Sequence, residues 1–116
     1  MRQDIVLRDR IHTGHINFVL STLHRAIGQY LRYHSKFKVG ITGKPKQRAR
    51  RLAYDGWREM VLIYSTKSEG YGQYAEYMLI KNNLLRKYPA QCLNRAGGGV
   101  GIRVGHKRYF VYILFP

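Results

Sequence analysis

The chain has 116 residues, 21 Lys and Arg against 6 Asp and Glu, a formal charge of +15 and a hydrophobic content of 45 %. That length suits one domain with a single core, and so apolar a chain is not a disordered basic tail. The lone cysteine, Cys92, excludes disulfide scaffolds, zinc ribbons and iron–sulfur clusters within one chain.

Residues 1–12 mix charged and apolar side chains without a clear period, leaving Ile5, Val6, Leu7 and Ile11 able to dock on a neighbour. From Thr13, a candidate N-cap, Ile16, Val19, Leu20, Leu23, Ile27, Tyr30 and Leu31 recur at spacings of three and four. They predict a helix that ends at Gly28 or runs through it to about Tyr33. Residues 36–42 alternate strictly. Phe37, Val39 and Ile41 face one way, and Lys36, Lys38, Gly40 and Thr42 the other, as in a half-buried strand. Pro45 sits where a first helical turn accepts proline, opening a basic helix to about Asp55 with Ala49, Leu52 and Ala53 inward. Residues 57–65 read as a strand. Ser68 caps a helix to Tyr88 with Tyr74, Tyr77, Ile80, Leu84 and Tyr88 along its seam, and Pro89 stops it. Glycines 97, 98, 99, 101 and 105 precede a final strand over 108–115. The order predicts a single α/β (α+β) domain spanning 1–116, with an N-terminal helical extension over 1–34 and a core over 36–115.

Fifteen surplus positive charges on a small domain repel one another unless a polyanion is near, and nucleic acid is the obvious one. Basic residues interleaved with ten tyrosines favour nucleic acid over lipid headgroups, because Arg and Tyr both stack on bases. No apolar run approaches the ~20 residues of a membrane span, and the first residues lack the apolar centre of a signal peptide. A cytoplasmic protein without membrane contact is expected. Six scattered carboxylates (Asp4, Asp9, Asp55, Glu59, Glu69 and Glu76) argue against a two-metal site, which needs clustered acids. They leave room for one cation on one carboxylate, with phosphate oxygens and water completing its shell.

Lys38-Val39-Gly40-Ile41-Thr42, then Lys44-Pro45, then Arg48 eight positions past Gly40, resembles the second-strand motif and following helix of GIY-YIG nuclease domains. The lysine is similar to the Lys-Ile-Gly variant of phage-associated branches. Glu76 with Leu79 and Ile80 matches the family's metal-binding glutamate, and Leu93-Asn94 its late asparagine. The resemblance covers about residues 36–96. It implies a three-stranded, mainly antiparallel sheet flanked by helices, and Mg²⁺- or Mn²⁺-dependent hydrolysis of phosphodiesters, double-stranded DNA first. It also implies a phage or mobile-element origin, and host-cell cytoplasm with it. The family's first strand precedes the second in a hairpin. Two tyrosines compete for its place: Tyr30, inside Gly28-Gln29-Tyr30, and Tyr112, in the last strand of a circularly permuted domain. The second is favoured. By this resemblance Lys38, Arg48, Glu76 and Tyr112 are the catalytic set, Glu76 the metal ligand, and Gly40, Thr42 and Asn94 their support. Either Tyr112 or Lys38 is the base, with cations such as Arg48 lowering its pKa, unless Lys38 acts by charge alone. Lys44, Lys46, Arg50, Arg51, Arg95 and Lys107 are the expected nucleic-acid contacts. The apolar side chains of 1–33 offer a homodimer interface.

One position departs from the family. Where a histidine or tyrosine often stands one turn after the arginine, this chain has Leu52, with Tyr54 as the nearby substitute. The departure leaves a second reading open: a nucleic-acid-binding protein on the same scaffold without catalysis. Of the five histidines only His12 and His15 are three apart, so they read mostly as surface or DNA contacts. Glycines 97–99 lack the lysine-serine pair of a P-loop and read instead as a loop tracking DNA. Cys92 reads as a small buried hydrophobe rather than a nucleophile.

Overall fold

The computed structural model describes residues 4–94 and 106–116, so Arg95 and the glycine-rich stretch lie outside the described residues. Strands β1 (Val6–His12), β2 (Lys38–Thr42), β3 (Glu59–Thr66) and β4 (Tyr109–Phe115) form one sheet in the order β1-β3-β4-β2. Helices α1 (Ile16–Tyr30), α2 (Pro45–Tyr54) and α3 (Glu69–Asn82) connect them, with a π-helical turn, Asn83–Lys87, after α3. The sheet is mixed and four-stranded, which corrects the three-stranded expectation. β4 runs antiparallel to both β2 and β3, while β1 pairs parallel with β3.

The extra strand escaped detection for a physical reason. β1 is an outer strand with nearly every side chain exposed, so its sequence carries no burial period. Backbone pairing holds it, together with the Arg8 guanidinium donating to the Glu59 carboxylate at 2.7 Å. At its far end Asp9 Oδ1 accepts the Ile11 N–H at 3.2 Å across a bulge in the β1–β3 register.

Strand alternation divides the core. Val39, Ile41, Val61, Ile63, Val111, Ile113 and Phe115 pack beneath α1 and α3 against Leu23, Ile27, Leu79 and Ile80. Met60, Leu62, Tyr112 and Leu114 face the other way, beneath Ala49 of α2 with Leu52 and Trp57 at the margin. Pro45 opens α2 as expected, and Ser68 Oγ accepts the Tyr71 N–H at 3.1 Å to cap α3.

Two helical expectations need correction. His15, not Thr13, caps α1: its Nδ1 accepts the Asn17 N–H at 3.1 Å, because Gly14 takes a left-handed turn (φ +117°) just before it. The buried seam of α3 is Gly72, Ala75, Glu76, Leu79 and Ile80, while Tyr74 and Tyr77 are largely exposed. Small and polar residues fill that stripe because the helix lies close on the sheet. A Cβ on Gly72 would stand 2.9 Å from Ile41 Cδ1. No helix among the described residues is long and apolar enough to cross a membrane.

Candidate functional site

β2 is an outer strand of the sheet, and Gly40 stands opposite Tyr112 of β4. The Tyr112 ring lies over Gly40: a Cβ there would come within 2.4 Å of both Cζ and the hydroxyl oxygen. Only a glycine lets the phenol cross the edge strand. Of the two candidate tyrosines, Tyr112 is therefore the one beside the Lys38-Val39-Gly40 strand. Tyr30 belongs to α1 and packs on Phe115, ring centroids 5.6 Å apart.

Arg48 and Glu76 both act electrostatically on the Tyr112 hydroxyl. They arrive from opposite sides, Arg48 on α2 and Glu76 on α3. Two sides of a sheet can address one point only at an edge, and β2 supplies it. Arg48 is half-buried next to the buried Ala49, whereas Lys44, Lys46, Arg50 and Arg51 are exposed. Packing thus draws one cation of that basic run inward and leaves the rest in water. Glu76 is only 7 % exposed.

The hydroxyl itself behaves otherwise than the sequence suggested. Burial pushes the Tyr112 pKa above its usual 10.0; Arg48 pulls it down and Glu76 pushes it up, and burial wins. The expected lowering by neighbouring cations is outweighed, so Tyr112 is a neutral phenol through the physiological range.

Lys38 is exposed two residues from Gly40 on the same face of β2, about 6–7 Å along the strand. Thr42 is buried, and its hydroxyl oxygen accepts the Lys44 N–H at 3.1 Å, shaping the turn into α2. Asn94 grips the edge strand from outside: Oδ1 accepts the Val39 N–H at 2.8 Å and Nδ2 donates to the Val39 carbonyl at 2.9 Å. Phe37 and Leu93 continue the contact, Leu93 N–H donating to the Phe37 carbonyl at 2.8 Å. The segment after α3 therefore covers part of an edge that would otherwise present unpaired backbone. Cys92 is buried beside Asn94, and burial raises its thiol pKa, as befits a packing residue.

His12 and His15 are exposed, while His24, His34 and His106 are partly buried, and four of the five make local contacts. His15 caps α1 and sits 4.8 Å from the Tyr71 ring. His34 stacks on Phe115 at 3.8 Å and lies 3.4 Å from Glu59. His24 Nε2 lies 3.1 Å from Asn82 Nδ2 between α1 and α3. His106 is the residue that sequence reasoning undervalued. A Cβ on Gly43 would fall 2.2 Å from its ring, so His106 leans on the turn into α2, with Lys107 exposed beside it. No signal in the sequence links the two, because Gly43 and His106 meet only in the folded chain.

Glu76, like Glu59 with Arg8 and Glu69 with Gln73 at 2.9 Å, already has an interaction partner, and its carboxylate is a hard oxygen donor of the kind Mg²⁺ or Mn²⁺ takes. Among the described residues no three His, Cys, Asp or Glu side chains gather as a cation cage. One carboxylate leaves most of a cation's coordination shell to oxygens from outside the protein, such as phosphate and water. No protein-family model, curated protein or solved structure matches this chain.

Proposed function

We propose that the chain is a divalent-metal-dependent DNA endonuclease or nickase with a rewired GIY-YIG-like core, its last strand standing where the family has its first. One observation carries this reading: the Tyr112 ring is laid across Gly40 on an outer strand, with Arg48 on α2 and the buried Glu76 on α3 coming from helices on opposite faces of the sheet. The antiparallel pairing of β2 with β4 supports the rewiring, since it recreates the hairpin partners without the hairpin. The +15 charge supports a nucleic-acid substrate.

In this reading Arg48 grips non-bridging phosphate oxygens with its planar fork and opposes the charge that builds on phosphorus. Glu76 would hold the cation, which when bound supplies charge stabilisation to the phosphate and the leaving oxygen. Tyr112, neutral because it is buried, donates to a phosphate oxygen or orients the attacking water. That water loses its proton to solvent as the bond from phosphorus to the leaving oxygen breaks and that oxygen takes up a proton. Lys38, exposed on the same strand face, adds positive charge beside the scissile group. The exposed cations Lys44, Lys46, Arg50, Arg51 and Lys107 hold the flanking backbone.

Supercoiled plasmid with Mg²⁺ provides the test. The wild type is expected to nick it, and Glu76→Ala to lose about a hundredfold or more in rate. Equal cutting by the variant, or no cutting by the wild type with any divalent metal, refutes the proposal. A second reading, binding without catalysis, is favoured by Leu52. Its side chain is half-buried against the Met60, Leu62 and Tyr112 cluster, an apolar wall where the family often has a polar group. Salt-sensitive gel shifts without cleavage would establish it.

A further inference from the structure

The outer strand remote from Gly40 has a feature that the nuclease reading does not use. Between β1 and α1 lies an open groove of about 310 Å³, lined by Arg10, His12, Gln29, Tyr30, Tyr33 and Ile63. It contains cationic, hydrogen-bonding and aromatic groups and no carboxylate. Its floor, Ile63, is where both ladders of β3 lose register, against β1 and against β4. Bulges of this kind re-aim side chains, and here Arg10 and His12 line the groove where the register slips. Arg10 is steadied by a 2.9 Å hydrogen bond to the Asp9 carbonyl. Tyr30 is fixed as a wall by Phe115, while Tyr33 at the mouth is 84 % exposed. A fixed ring, an exposed ring and a guanidinium around a nucleoside-sized hollow are what an unstacked base and its phosphate require. A duplex keeps its bases inside and cannot fill such a hollow.

We infer that this groove binds single-stranded nucleic acid, one base stacking on Tyr33 and Tyr30 with its phosphate on Arg10. The inference rests on the nucleic-acid-binding part of the reading above and extends it with a second contact. Three strand spacings, about 14 Å, separate β1 from β2 across the sheet. A displaced strand held at β1 can therefore belong to the same substrate whose phosphodiester lies at β2.

Anisotropy titrations with two fluorescent single strands test it: a short oligothymidylate and an abasic oligomer of equal length and charge. The wild type is expected to prefer the oligothymidylate on the order of tenfold. Tyr33→Ala should abolish that preference and Tyr33→Phe should keep it, while Arg10→Ala should weaken both complexes and leave the preference standing. A wild type that binds both oligomers equally, or a Tyr33→Ala variant that keeps the preference, overturns the groove and leaves the nuclease reading untouched. A wild type that binds neither oligomer nor duplex removes the nucleic-acid reading itself.

Discussion

The two faces of the sheet are built for different work. Under α1 and α3 the strands present Val39, Ile41, Val61, Ile63, Ile113 and Phe115, a continuous apolar layer closed by two helices. Under α2 the same strands present Lys38, Gly40, Tyr112 and a smaller apolar patch, covered by ten residues of basic helix. Adjacent residues on β4 thus face opposite ways, Ile113 into the closed core and Tyr112 toward the proposed site. Strand alternation lets one short segment do both, and Glu76 reaches the proposed site from the closed face only because β2 is an outer strand.

The sharpest way to break that division is to mutate those two neighbours. Ile113→Ala opens a cavity in the closed face and should cost about 2–5 kcal/mol in urea denaturation. Tyr112→Phe should unfold at nearly the wild-type urea concentration yet lose about a hundredfold in plasmid nicking. If Tyr112→Phe lost stability and kept its nicking rate, the division of labour would be wrong.

Gly40→Ala sharpens the comparison at the point where the faces meet. The new methyl must displace the Tyr112 ring from its 2.4 Å approach, while Val39 and Ile41 keep their places in the core. Nicking should fall by up to about a hundredfold, as a misplacement of about 1 Å can cause. Stability should change much less, and parallel nicking assays and thermal melts will separate the two effects.

The smallest effects are in pH dependence, where both faces contribute. Burial raises the hydroxyl pKa of Tyr112 and of Tyr64 above 10.0, and the Cys92 thiol above 9.0. Above pH 9–10 the unfolded chain releases these protons while the folded one retains them, so that part of the stability is lost as pH rises. His24, between α1 and α3, runs the other way: burial first and Lys87 second lower its pKa below 6.5. The folded form keeps it neutral, so its contribution is present above pH 6.5 and lost as pH falls below. Melting temperature should hold a plateau near neutrality and decline on both sides. His24→Gln should flatten the acid side, and Tyr112→Phe part of the alkaline side.

Elements with strong local periodicity were legible. Alternation over 36–42, the apolar stripe from Ile16 to Ile27, Pro45 and the Ser68 cap each appear in the structure where the residues suggested. β1 was not legible, because an exposed outer strand leaves no trace in the hydrophobic pattern. The α3 seam was misread because close packing selected Gly72, Ala75 and Glu76 over the larger Tyr74 and Tyr77. Arg48 stood out by its distance from Gly40, but the direction of the Tyr112 shift depended on burial that no spacing reveals.

What the amino-acid order determined by itself was charge and the two-sidedness of its strands, since those follow from composition and from neighbours within one or two turns. Tertiary structure decided which strand lies beside β2, that Tyr112 rather than Tyr30 crosses Gly40, and that Arg48 and Glu76 stand on helices at opposite faces of the sheet. The reason is range. Periodicity is a local property of the chain, whereas convergence at a sheet edge depends on how elements far apart in sequence are ordered in space.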